Sequence, residues 1–244
     1  MGLERVQKLI ASSGHCSRRK AEQLIIQKRV LINGKIAKIG DKATPTQDLI
    51  IIDGEPIKLS RSNRVLLLNK PKGVISSCKD NLGRKTILDL IPEELKDGLH
   101  PIGRLDLESR GAILLTNNGE LTLKLSHPRF QHSKTYKVLL KGILEKNTIQ
   151  KWRNGIYLDG KLTIKVSIDV LKRMDTETLI NITMREGRNR QIRRIAELIG
   201  HPVIDLQRTA IANIKLNKLK EGYWRILENH EWRNLLITEK NEFH

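Results

Sequence analysis

The chain has 244 residues, 39% hydrophobic and 30% charged, with apolar periodicity along its whole length. It can therefore bury a core as one large domain or two modest ones, which excludes intrinsic disorder. No apolar run approaches the roughly 20 residues of a membrane helix, and Met1-Gly-Leu-Glu-Arg-Val-Gln-Lys lacks the layout of a signal peptide, so a cytoplasmic protein without a membrane partner is expected. The 45 Lys and Arg against 27 Asp and Glu give +18, divided as 11 against 6 in residues 1–60 and 34 against 21 in the rest. Such self-repulsion throughout a chain points to a polyanionic partner, nucleic acid above all.

In chain order, residues 4–13 place Val6, Leu9 and Ile10 on one helical face, and Gly14 ends the run. Ser17 can cap a second helix, Arg18 to Lys28, with Ala21, Leu24 and Ile25 as its apolar stripe. Val30-Leu-Ile-Asn-Gly-Lys-Ile reads as a hairpin turning at Asn33-Gly34, and Leu49-Ile-Ile-Ile-Asp-Gly as a further strand and turn. The polar run from Lys58 to Arg64 reads as a linker, which divides the chain into a module of residues 1–60 and a second of 61–244. The second is predicted to have strands at Val65–Asn69, Val74–Cys78, Ala112–Thr116, Tyr136–Lys141, Leu179–Met184 and Ile211–Leu216. Helices are predicted at Glu120–Ser126, Glu145–Asn154, Asn189–Ile199 and near Trp232–Leu236. This irregular alternation excludes a doubly wound sheet and predicts an α+β architecture, a mixed and mainly antiparallel sheet with flanking helices.

Cys16 and Cys78 form no CxxC pair, and the seven histidines show no metal-ligand spacing, so free thiols and neither metal nor cofactor are expected. In the first module Arg18, Arg19 and Lys20 open the second helix, where exposed backbone N–H groups also favour phosphate, and Arg29 and Lys35 lie near its end and the hairpin. In the second, Gly103-Arg104-Leu105-Asp106-Leu107-Glu108-Ser109-Arg110-Gly111 joins a polar loop to a buried strand. By itself, an Asp such as Asp106 in a polar loop is more often structural than catalytic.

Leu-Ile-Ala-Ser-Ser-Gly-His-Cys-Ser-Arg-Arg-Lys-Ala-Glu followed by Val-Leu-Ile-Asn-Gly-Lys resembles the S4 RNA-binding domain over most of residues 4–54. Four further stretches appear in the order of one family: Leu68-Asn-Lys-Pro-Lys-Gly-Val-Ile-Ser, the Gly-Arg-Leu-Asp loop, Lys134-Thr-Tyr-Lys-Val and Arg185-Glu-Gly-Arg-Asn-Arg-Gln-Ile-Arg-Arg-Ile. Together they resemble the ribosomal-RNA pseudouridine synthases that carry an N-terminal S4 domain, and the last stretch resembles the large-subunit enzymes more than the small-subunit one. The resemblance implies a pseudouridine synthase fold, no cofactor, and 23S rRNA or pre-ribosomal particles as the partner of a monomer. It implies Asp106 as catalytic carboxylate, Tyr136 as the aromatic face for a flipped uracil, and Arg193 as the arginine partner of the aspartate.

Arg104, Arg188, Arg190 and Arg194 are then expected to meet RNA, with Arg193 turned inward by helical spacing. Asn118, Ala112 and Arg110 depart from the family's pattern, where Asp, Leu and a small residue are usual, and put the packing of the loop in question. Two rivals share the charge: a non-catalytic S4-type assembly factor, and a nuclease or base glycosylase. The second lacks the clustered acids or histidines of phosphodiester cleavage. A 16S substrate is the alternative within the family.

Overall fold

The computed structural model describes residues 2–57 and 63–236, so most of the expected linker, residues 58–62, lies outside the described residues. In the first module, helix Val6–Ser12 buries Val6, Leu9 and Ile10. It starts later than its periodicity implies because Glu4–Arg5 is drawn into a two-residue antiparallel pairing with Lys42–Ala43. Ser17 caps helix Arg18–Ile26 by accepting from the Lys20 N–H at 3.2 Å, and Ala21, Leu24 and Ile25 face inward. Strands Val30–Ile32 and Lys35–Ile36 turn through Asn33 (φ 49°) and Gly34 (φ 78°), the two left-handed residues that a tight hairpin needs. Ile50–Ile52 pairs on the other side of Val30–Ile32, and the helices close over these strands around Ile10, Leu24, Val30 and Ile50.

The second module is built on a nine-stranded sheet among the described residues. Its main order is Ser167–Arg173, Glu177–Met184, Lys134–Lys141, Val203–Ile211, Arg110–Thr116, Val65–Lys70 and Trp224–Ile226. His100–Ile102 and Ile214–Lys215 pair alongside it. Every pairing is antiparallel except that of Arg110–Thr116 with Val203–Ile211. Val65–Lys70 is buried at every position, and its first four residues read as a continuous apolar run. Glu177–Met184 alternates, sending Ile180, Ile182 and Met184 into a core with Val138, Leu140 and the helix Gln191–Leu198.

Two predicted strands differ. Val74–Cys78 is no strand: only Ile75 forms a bridge, with Thr86, and the Ser76 hydroxyl bonds both the N–H and the carbonyl of Leu105. The expected strand Ile211–Leu216 is the end of one strand and the start of another. Ile211 closes Val203–Ile211, Ala212 adopts φ 49°, and Ile214–Lys215 returns antiparallel.

Candidate active site

The loop after His100–Ile102 turns at Gly103 (φ 73°) and carries Asp106, whose side chain is 35% exposed. Beneath it lies Lys70, the last residue of Val65–Lys70 and fully buried. Its Nζ donates to the carbonyls of Pro71 at 3.0 Å, Asp106 at 3.2 Å and Ser109 at 2.8 Å, tying the Asp106 loop to the sheet. Burial pushes this ammonium down to about 8, against the opposing pull of the Asp106 and Glu221 carboxylates. Ser76 fixes Leu105 from the other side through bonds of 2.7 and 3.1 Å. The carboxylate is thus the free end of a loop whose backbone is held from below.

The strand after the loop can begin where it does because of Gly111. A Cβ there would lie 2.2 Å from the Arg208 carbonyl oxygen, so only glycine admits the parallel contact with Val203–Ile211. That contact brings Arg208 beside the loop. Arg208 is directly paired with Tyr136 across strand Lys134–Lys141, and Tyr136, 9% exposed, lies on the same core face as Ile182 and Leu105. The Tyr136 hydroxyl makes no protein hydrogen bond among the described residues.

Arg193 is buried at 8% exposure, but no ion pair joins it to Asp106 among the described residues. Its Nη2 donates to the Glu108 carbonyl and to the Ser109 hydroxyl, both at 3.2 Å, and its Nη1 stands 4.0 Å from the Glu108 carboxylate. The expected partnership with Asp106 is not an ion pair in this structure: Arg193 braces the Glu108 carbonyl and the Ser109 hydroxyl, two and three residues beyond the aspartate. The cation nearest the Asp106 carboxylate among the described residues is Arg190, expected to meet RNA, whose Nη1 is 3.9 Å from Asp106 Oδ2 and whose Nη2 is 3.3 Å from Glu108 Oε2. Arg190 takes φ 48° at the entry to helix Gln191–Leu198, and this left-handed turn aims its side chain back at the loop.

Of the other basic residues expected to bind RNA, Arg18, Arg19, Lys20 and Lys35 are exposed on the first module, with Arg18 close to Gly119 of the second. Arg104 is exposed at the cleft. Three are engaged within the protein instead. Arg29 forks onto Asp53 at 2.7 and 2.5 Å. Arg194 forks onto Asp159. Arg188 donates to Glu186 and to the carbonyls of Leu158, Lys161 and Leu162, fastening the hairpin Tyr157–Leu162 to the loop before Gln191–Leu198. These bonds arise from partners distant in sequence, which a run of basic letters does not reveal.

The departures from the family's pattern are accommodated. Asn118 caps helix Gly119–Ser126 with its side-chain oxygen, accepting from Glu120 N–H at 2.9 Å and Leu121 N–H at 3.1 Å, as an aspartate would. Arg110 forks onto Asp205, and the Ala112 carbonyl accepts from Arg208 Nε at 2.6 Å. Burial works against the charge on Asp205, but Arg110 and Lys72 beside it hold the carboxyl down to about 2. Lys70, Ser76, Ser109 and Arg208 are site residues that the sequence reading did not single out. A lysine closing the apolar run Val-Leu-Leu-Leu-Asn-Lys was the available signal for the first.

Ser76, Asp106, Ser109, Tyr136, Arg190, Arg193 and Arg208 border a cleft of about 850 Å³. Arg84, Arg104, Lys134, Arg185, Arg188, Arg190, Arg193 and Arg208 line it, against the carboxylates of Asp106 and Glu186. Glu186 is occupied by Arg188, by the Gln191 amide at 2.6 Å and by the Ile164 N–H at 2.9 Å. Asp106 is therefore the carboxylate left to meet a ligand, inside a basic recess suited to a polyanion.

A basic cleft at a strand-to-loop aspartate, on a mixed sheet behind a small helix-hairpin module, matches known proteins over the whole chain. The RNA pseudouridylate synthase family matches residues 64–198 and the S4 domain matches residues 4–50. The chain belongs to the RNA pseudouridylate synthase family and is an RNA pseudouridine synthase with an N-terminal S4 domain. Ribosomal large subunit pseudouridine synthase B of Bacillus subtilis (strain 168) is 42% identical over 237 residues, 96% of each chain. Dual-specificity RNA pseudouridine synthase RluF of Escherichia coli (strain K12) is 36% identical over 239 residues, 97% of this chain and 80% of that one. A solved pseudouridylate synthase superposes with a TM-score of 0.68 at 31% identity, covering 95% of this chain and 99% of that one. No helix among the described residues is long and apolar enough to cross a membrane.

Proposed function

We propose that this enzyme converts a uridine of ribosomal RNA, in the 23S molecule, to pseudouridine, with Asp106 facing the ribose of a flipped-out nucleotide. The observation that carries the reading is the position of Asp106: a carboxylate on a clamped loop, with Arg190 3.9 Å away, in a cleft of opposite charge. The large-subunit name of the Bacillus subtilis relative supports 23S over 16S. The division at residues 1–60 and 61–244, a monomer, and a place in the cytoplasm on pre-ribosomal particles belong to the same reading. The separate core of the first module supports the division.

The isomerisation breaks the N1–C1′ bond, turns the base and joins C5 to C1′, with the C5 proton leaving, so nothing is oxidised or hydrolysed. C1′ becomes electron-poor as the first bond breaks, and a carboxylate held beside it stabilises or captures that carbon, as carboxylates do in glycosidases. Tyr136 offers its ring to the uracil and its unpaired hydroxyl to the proton at C5. Arg190 holds the charge of Asp106 in place, and Arg193 acts through the loop by fixing Glu108 and Ser109.

The test is release of tritium from C5-labelled uridine in separate 23S and 16S transcripts. Release from 23S without strand cleavage or free uracil is expected, and Asp106→Asn should abolish it while RNA affinity stays within about threefold. No release from either RNA overturns the proposal, and release from 16S alone overturns the choice of substrate.

A further inference from the structure

Two cations around Tyr136 have no anion of their own. Arg208, paired Cα to Cα with Tyr136, is 3% exposed. Its Nε is satisfied by the Ala112 carbonyl, but its Nη2 is buried and bonded to nothing. Lys134 precedes Tyr136 by two residues on its strand and so shares its face of the sheet. The Lys134 Nζ donates to the His132 carbonyl at 3.2 Å. Neither residue forms an ion pair among the described residues, and both line the cleft that holds Asp106. Burial, and then the charge of Arg208, push the Lys134 ammonium below its ordinary value, as expected of two like charges awaiting a common acceptor.

A buried guanidinium with an open N–H is costly until an acceptor arrives. Arginine and lysine carry donors only, so the group that completes this corner must be an acceptor. On the reading that Asp106 faces the ribose and Tyr136 lies beneath the base, Arg208 and Lys134, lining the same cleft, are the cations left for the edge of the pyrimidine ring. The 4-position lies across the ring from the glycosidic bond, and it is where the two pyrimidines differ. We infer that Arg208 and Lys134 are specificity-determining residues that donate to the 4-oxo group of the target uracil and reject cytosine, whose 4-amino group would meet them donor to donor. A site built around such a bond discriminates far more strongly than an apolar pocket of the same shape.

This inference rests on the reading of Asp106 and Tyr136 given above. It is tested on the 23S segment mapped in that assay, carrying C5-tritiated uridine or C5-tritiated 4-thiouridine at the target position. Single-turnover release is measured for the wild type, Arg208→Gln and Lys134→Gln. Sulfur is a weak acceptor, so the wild type should react about tenfold or more slowly with the thio base. Each variant should be slower by about tenfold or more on uridine but show a uridine-to-thiouridine rate ratio near one, with RNA Kd within about twofold of wild type. A variant that keeps the wild-type ratio overturns the inference, as does a loss confined to RNA affinity, which would assign the two cations to phosphate. Lys134 is only partly buried, so Lys134→Gln gives the answer even if thermal melting shows that Arg208→Gln fails to fold. A wild type inactive on uridine removes both readings, whereas an active wild type with unchanged ratios in the variants removes this one alone.

Discussion

Beneath Asp106, Lys70 is an ammonium with three carbonyl acceptors and no exposed surface. Its folded pKa of about 8 lies below the ordinary 10.5. Between those values the unfolded chain keeps a proton that the folded chain has released, so this group's contribution to stability rises with pH there. Below 8 the burial penalty is present in full. The stability margin of wild type over Lys70→Met, measured by denaturant unfolding, should therefore widen from pH 8 to pH 10; a margin that narrows would contradict the assignment. Arg190 shows the opposite trade. Its left-handed backbone costs roughly 1 kcal/mol that glycine would not incur, and its ion pairs are partly exposed and weak. Arg190→Gly should melt no lower than wild type while kcat/KM falls about tenfold or more, a separation of stability from activity typical of site residues.

Among the elements, the strands with one kind of environment were legible and those with a mixed one were not. Val65–Lys70 is buried on both faces and Glu177–Met184 on one, and each announces itself by a run or an alternation. Val203–Ile211 conceals its alternation because one of its inward residues is Arg208, a charge where the pattern asks for an apolar side chain. Val74–Cys78 misled in the other direction: its apolar letters suggested a strand, but the segment docks the Asp106 loop through the Ser76 hydroxyl. Asp106 and Tyr136, singled out by local motifs, both border the cleft; that Arg190 rather than Arg193 stands nearest the Asp106 carboxylate was not legible, since it depends on one backbone turn. Gly111→Ala should be the severest single change at this scale. Its Cβ meets backbone rather than a movable side chain, so a loss above about 4 kcal/mol, or no soluble protein, is expected from thermal or denaturant melts. Asn118→Ala should cost only about 1 kcal/mol, and Asn118→Asp almost nothing.

Across the whole molecule, the excess charge of +18 has two outlets: the exposed start of helix Arg18–Ile26 and the cleft. Exchange of Arg19 and Lys20 for Glu should weaken rRNA binding and flatten the slope of log affinity against log salt by about 2, with the loss appearing mainly in KM. A slope unchanged by both exchanges would place the RNA elsewhere on the first module.

The parallel contact of Gly111 with Arg208 also sets an order of events in time. Among the described residues, the strand pairings and core of the first module close within its own residues, so it can fold as soon as it leaves the ribosome. The cleft cannot, because its floor joins a loop near residue 106 to strands that end near 211, and that long closure must await most of the chain. A growing polypeptide of this enzyme thus acquires its grip on RNA well before its chemistry.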